Sequence, residues 1–204
     1  MPVLVQDREL AAQLLREREA AGDHTRDEVW DGVTVIMPEA DIEHDDIAGY
    51  FYRTFWAVFG EATPHRIHFR VNVSDRVEDW KLNYRVPDAS VYLSRNPAQM
   101  CGTHYVGGPD VALEVVSPDD RSRDKLGFYT AVGTREVVIV DRDPWRLELY
   151  QLRRGRMRLK GAITPGDGGT LASGVLPLKF QLIRSRPRPK VKIVHAETGR
   201  EWVF

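Results

Sequence analysis

Two carboxylates stand where carboxylates are costly. In VPDASVYL, Asp88 sits among Val86, Val91 and Leu93, and in VALEVV, Glu114 is the lone polar residue. An ionised carboxylate in an apolar strand is expensive unless it is paired or holds a metal. Two such acids on neighbouring strands make a site for a hard divalent cation, Mg²⁺ or Mn²⁺, which takes oxygen ligands and keeps several waters. The cation would polarise a phosphoryl oxygen and lower the pKa of an attacking water. Two plainer readings stay open at this point. Glu114 would form a salt bridge with a buried Arg or Lys, and Asp88, following Pro87, would simply end a strand.

The elements that must position these acids follow from periodicity. Residues 7–21 predict a helix, with Asp7 as cap, Leu10, Leu14 and Leu15 as its stripe and Gly22 as its stop. EVWDGVTVIMP (28–38) predicts a hairpin about Asp31-Gly32, ended by Pro38. In 43–60, Ile47, Tyr50, Phe51, Thr54, Phe55 and Val58 recur at helical spacing before Gly60. Strands are expected at 65–75 and 85–94, with a loop from about 95 to 109. The almost wholly apolar run 109–118 reads as a strand buried on both faces, and 136–143 is again a strand of the buried type. Between them Ser117-Pro118-Asp119 opens a short helix to about 132, stopped by Gly133, with Ser117 as a cap. Residues 145–161 alternate about a turn near Gly155. From about 162 the chain reads as irregular with short strands, and RSRPRPKVK (184–192) as an extended segment or a tail.

This order predicts an α/β (α+β) domain with a mixed central sheet flanked by helices and an added C-terminal hairpin region. The expected divisions are an N-terminal helical extension at 1–27, a core at 28–160, and a basic extension at 161–204 packed on the same domain. The 204 residues suit one core of substantial size.

Composition bounds the function. The single cysteine, Cys101, excludes a disulfide framework and a Cys-rich zinc site, and fits a reducing cytoplasm. Cys101 beside His104 would be a nucleophile and base, but no motif accompanies them. The N-terminal residues lack a basic leader and apolar run, and no stretch nears the roughly 20 apolar residues of a membrane span. Cytoplasmic placement without membrane contact is expected. Net charge is −1, yet residues 151–204 hold 12 of the 29 Lys and Arg and only 3 of the 30 Asp and Glu. The acidic part carries the proposed metal site, and the basic part either faces phosphate backbones or is a solvated hairpin and tail. No glycine-rich phosphate loop, HExxH or Gly-x-Ser-x-Gly occurs. His65 and His68 share HxxH spacing but would lie on opposite strand faces as surface residues.

Pro87-Asp88, then Glu114-Val115-Val116-Ser117-Pro118, Lys125 through Tyr129, Gly133, Glu136-Val137 and Asp141 together resemble the Uma-two family of restriction-endonuclease-like proteins, within the PD-(D/E)xK nuclease superfamily. WDGVTVIMPEADIEHDDIAGYF resembles the family's N-terminal part, so the likeness spans about 28–150. It implies a restriction-endonuclease-like fold and a Mg²⁺- or Mn²⁺-dependent endonuclease acting on DNA, with Asp88 and Glu114 as metal ligands. The superfamily lysine stands two residues after the second acid, where this chain has Val116; the family resemblance transfers that role to Lys125 on the next helix. Lys125 would stabilise charge developing on phosphate or hydroxide. His44, opening the 43–60 helix, would contact phosphate or assist a proton transfer, or else merely interact with Glu43 or Asp46. Where relatives carry Glu after Asp-Gly, this chain has Val33, and Glu28 is the candidate substitute. Tyr129, one turn after Lys125, is expected in the core with its hydroxyl near the site. A homodimer would suit cleavage of two strands. A catalytically inactive scaffold binding nucleic acid or a protein partner is the competing reading.

Overall fold

The computed structural model describes residues 2–22, 26–59, 64–117 and 121–204. The N-terminal part runs β1 (Val3–Val5), α1 (Arg8–Ala21), β2 (Glu28–Trp30), β3 (Val33–Ile36) and α2 (Ile42–Phe59). Next come β4 (Arg66–Phe69), β5 (Asn72–Ser74), β6 (Tyr84–Arg85), β7 (Ala89–Tyr92), β8 (Gln99–Met100) and β9 (His104–Val106). β10 (Val111–Val115) leads through a 3-10 turn (Ser122–Lys125) and α3 (Leu126–Ala131) to β11 (Glu136–Arg142). β12 (Trp145–Arg153), β13 (Arg156–Ile163), β14 (Leu171–Ala172), β15 (Leu178–Ile183), β16 (Lys190–His195) and β17 (Glu201–Val203) complete the chain.

Local signals in the sequence set several boundaries. The Asp7 carboxylate accepts from the Glu9 and Leu10 N–H groups, and Gly22 closes α1 in the left-handed conformation. Asp31 and Gly32 both have positive φ, the turn that Asp-Gly hairpins require. The stop at Gly60 and the helix start at Pro118-Asp119 lie outside the described residues. The 3-10 turn that leads into α3 begins at Ser122, after Arg121, and the capping expected of Ser117 falls on residues outside the described ones.

The mixed α+β prediction holds. A six-stranded sheet, in the order β13-β12-β11-β10-β7-β4, is antiparallel except for the pair β10 and β11. A parallel pair needs a crossover, and here it is the 3-10 turn and α3. Leu113 faces Ala89 across β10 and β7, so the register sets Glu114 opposite Asp88, both at the end of the sheet. Alternation then separates two faces. Leu113, Val115, Val138 and Val140 pack with Ile47, Phe51 and Phe55 of α2, while Ala112, Val137 and Ile139 pack with Phe128 and Tyr129 of α3. Glu114 alternates onto the second face.

A seven-stranded sheet, β1-β3-β2-β6-β5-β9-β8, brings Glu28 toward that face. The stretch read as one strand over 65–75 is two, because Arg70 turns the chain at φ 53° and sends β4 and β5 into different sheets. The loop expected at 95–109 contains β8 and β9. Beyond residue 162 the expectation is irregular chain with short strands, and the structure is more ordered than that. There β14 to β17 form a four-stranded antiparallel sheet. Leu178, Phe180 and Leu182 alternate inward with Val191 and Ile193, and they join the cluster around Phe51. LPLKFQLI is a plain period-two strand, and burial against α2 gives it a reason to form. Among the described residues no helix is long and apolar enough to cross a membrane.

Candidate active site at the end of the parallel strand pair

Glu114 is 2% exposed and Asp88 9%, at the strand ends where the crossover begins. The Asp88 amide donates to the Leu113 carbonyl at 3.0 Å, and Asp88 Oδ2 accepts from the Val115 amide at 2.8 Å. Both bonds extend the β7–β10 ladder, so the aspartate's position is fixed by backbone pairing. Lys125, 3% exposed, ends the 3-10 turn. Its ammonium lies 2.9 Å from Glu114 Oε2 and 2.9 Å from Glu28 Oε1. The Tyr129 hydroxyl donates to Glu114 Oε1, as expected of a core tyrosine with its hydroxyl at the site.

Glu28 is fully buried. It accepts from the Val86 amide at 2.8 Å and the Trp30 indole at 2.6 Å, besides Lys125. Its lysine contact answers the question left by Val33: an acid from the first hairpin does reach the site. The salt-bridge reading of Glu114 is also realised, and its partner is Lys125 itself.

His44 is buried on the first turn of α2. Its Nε2 stands 3.3 Å from Asp88 Oδ2 and its Nδ1 3.3 Å from Asp45 Oδ1. Arg26 Nη2 is also 3.3 Å from Nδ1. A protonated ring would donate to both carboxylates. The contacts with Glu43 or Asp46 expected of a plain helix-start histidine do not form; Glu43 pairs with Arg142 and Arg188. The structure thus brings Asp88, Glu114, Lys125 and His44 to one pocket of about 40 Å³, also lined by Arg26, Arg70 and Ser117. Arg26, Arg70 and Asp45 carried no motif in the sequence. Arginines in loops and at strand ends give no periodic signal.

Opposed electrostatics act on the two acids. Burial pushes the Glu114 carboxyl up to about 8, and the charges of Asp88 and Glu28 push the same way against Lys125 and the Tyr129 hydrogen bond. Burial also disfavours the Asp88 anion, but the His44 hydrogen bond and charge, the Val115 N–H and Lys125 together hold it below the ordinary carboxylate range. The site therefore lacks enough positive charge to keep every carboxylate ionised at neutral pH.

Linkage gives a direct prediction. Glu114 has a folded pKa above its unfolded value, so the folded state retains its proton while the unfolded chain has lost it. Its contribution is intact below about pH 4.5 and declines as pH rises to about 8. Asp88 has the opposite sign and contributes above its ordinary pKa, losing that contribution only in stronger acid. Urea melts from pH 4.5 to 8 should show Glu114→Gln with a flatter decline than wild type. Parallel curves would show that Glu114 ionises normally.

The remaining sequence candidates fall away. His104 stacks on Trp80 at 4.1 Å, and among the described residues neither of its ring nitrogens has a hydrogen-bond partner, so it is not paired with Cys101. His65 and His68 are half-buried, not surface residues as expected. His65 accepts from the Ser94 amide, and His68 meets the Tyr105 hydroxyl at 2.9 Å.

The family model described as "Putative restriction endonuclease" (Uma2) matches residues 12–183. Among solved structures, the fold is similar to that of a "putative nuclease belonging to DUF820" from Anabaena variabilis. That likeness has a TM-score of 0.59 at 18% identity, covering 72% of this chain and 80% of the other. No curated protein matches the sequence.

Proposed function

Given that this chain belongs to the Uma2 family, we propose that it is a Mg²⁺- or Mn²⁺-dependent endonuclease hydrolysing phosphodiester bonds of DNA. The observation carrying this reading is the buried pair, Asp88 opposite Glu114, with Lys125 Nζ 2.9 Å from Glu114 at a shared pocket.

The residues fit a hard cation. Both are oxygen donors, and Asp88 Oδ1 takes no hydrogen bond among the described residues, since its contacts fall on Oδ2. The raised Glu114 carboxyl would ionise readily beside added positive charge. Among the described residues no group of three His, Cys, Asp or Glu is disposed to hold a metal. Water and substrate phosphate would complete the shell, which suits Mg²⁺. The bound ion would supply charge neutralisation at the scissile phosphate and a more acidic water.

The chain's own groups do the rest. Asp88 and Glu114 fix the reacting centre at the rigid end of the sheet. The Lys125 ammonium, desolvated between two carboxylates, faces the negative charge that develops as phosphorus is attacked. The Tyr129 hydroxyl holds one Glu114 oxygen in place. His44 Nε2, beside Asp88, is placed to hold or pass a proton at the site's edge.

The deciding experiment is isothermal titration of Mn²⁺ and Mg²⁺ into the full chain, alongside Asp88→Ala and Glu114→Ala. Binding by wild type that weakens about 10- to 100-fold in both variants is the expected result. A folded wild type that binds neither ion and cuts no DNA would end the proposal.

One observation favours a non-catalytic scaffold: Lys125 is held by two carboxylates. A scaffold would bind DNA without Mn²⁺ sensitivity and leave it uncut.

A further inference from the structure

Beside the carboxylates, two guanidinium groups converge on one oxygen. Arg26 Nη2 donates to Asp45 Oδ1 at 2.6 Å, and Arg70 Nη2 donates to the same atom. Asp45 is half-exposed on the first turn of α2, whereas the two arginine side chains are mostly covered. Arg70 Nε is buried and has no hydrogen-bond partner among the described residues. Burial and the adjacent Arg70 charge lower the Arg26 pKa, so the pair is short of negative charge.

Both arginines line the site pocket and also an adjoining cavity of about 250 Å³. Arg18 lines the cavity as well but is bound to Asp27 at 2.6 Å, and among the described residues the cavity's acids are Asp45 and Glu39. A single carboxylate oxygen is a poor match for two planar forks. A phosphate offers several oxygens and accepts from both. Asp45 then has the properties of a displaceable counter-ion, being held only at its tip and open to solvent.

We propose that Arg26 and Arg70 form a phosphate-holding subsite beside the Asp88–Glu114 pair, taking a second phosphate of the strand that the pair engages. Its ligand class rests on the nucleic-acid reading above. The subsite gives the cavity a use and fixes the strand's direction across the site.

The test is isothermal titration, in EDTA, of inorganic phosphate and of a single-stranded decamer with or without a 5′-phosphate. Arg26→Lys and Arg70→Lys keep the charge but lose the fork, and each should weaken binding about tenfold. Asp45→Asn should tighten it about threefold or more by freeing both forks. Arg158→Gln, on the exposed strand β13, is the control and should change nothing. A gain from the 5′-phosphate assigns the subsite to a strand end, and equal binding of both decamers assigns it to an internal phosphodiester. The proposal falls if the Lys variants bind as wild type, if Asp45→Asn weakens binding, or if Arg158→Gln loses as much. Should the Lys variants melt early, Asp45→Asn alone decides. Phosphate binding requires no hydrolysis, so a protein that binds phosphate but never cuts retains the subsite and loses the nuclease reading. Conversely, cleavage with phosphate binding indifferent to these substitutions removes the subsite alone.

Discussion

Lys125→Met is expected to destabilise the protein by about 3–5 kcal/mol, the usual cost of leaving a buried charge without its partner. The ammonium lies 2.9 Å from both Glu28 and Glu114, two of the most deeply buried acids in the molecule. Methionine fills the space but leaves those carboxylates facing each other. Glu28 keeps the Val86 amide and the Trp30 indole, while Glu114 keeps, among the described residues, only the Tyr129 hydroxyl. Glu114 therefore gives way first, by holding its proton. The loss should consequently be smaller at pH 5 than at pH 8, since in acid the proton does part of the lysine's work. For a chain of this size such a loss lowers Tm by roughly 10 °C. The double substitution Lys125→Met/Glu114→Gln should recover part of it, as coupling between contacting residues requires. A single variant within about 0.5 kcal/mol of wild type at pH 8 would show that the lysine is not the counter-charge of the site.

The same triad shows how much was legible beforehand. Asp88 and Glu114 stood out because burial is written in period: each interrupts an apolar strand, and the cost of such an interruption demands a partner. The two buried central strands, α1 with its caps and the long α2 were legible for the same kind of local reason. Glu28 was harder to read. Its strand is three residues long, and only the pairing of β2 with β6 brings it near Lys125. Lys125 came from resemblance rather than pattern, because a lysine on a short helical turn is ordinarily exposed. Arg26, Arg70 and Asp45 meet through three separate elements, and no sequence period records such a meeting. The C-terminal sheet was legible only as short strands, not as a sheet. Its strands alternate well enough, but the Arg/Pro-rich run 184–189 between β15 and β16 obscured the pairing, and the partner that buries Phe180 and Ile193 is the distant helix α2.

On the endonuclease reading proposed above, Glu114→Gln is expected to reduce DNA cleavage on the order of 10³-fold or more, the scale of losing one preorganised charge at a reacting phosphate. Stability at pH 8 should be equal or greater, because the amide removes a carboxyl that burial and its acidic neighbours already hold up at about 8. Most damaging substitutions at buried positions cost stability along with activity. Here the two should separate, and that separation distinguishes a functional acid from a structural one. The amide preserves size, so packing in the second core survives, although its single oxygen accepts from the Tyr129 hydroxyl or from Lys125 but not from both. What it cannot do is carry charge toward a cation. Asp88→Asn should lose activity to a similar extent but with a different stability signature. That carboxylate is held in its ionised form by His44 and the Val115 amide, so the substitution should lower stability near neutral pH. Cleavage rates of a supercoiled plasmid in Mn²⁺, with urea melts of the same preparations, read both effects. If Glu114→Gln cuts as wild type while Asp88→Asn does not, the second acid belongs to the fold alone. The nuclease reading would then need another partner for Asp88, with Glu28 the nearest acid that already touches Lys125.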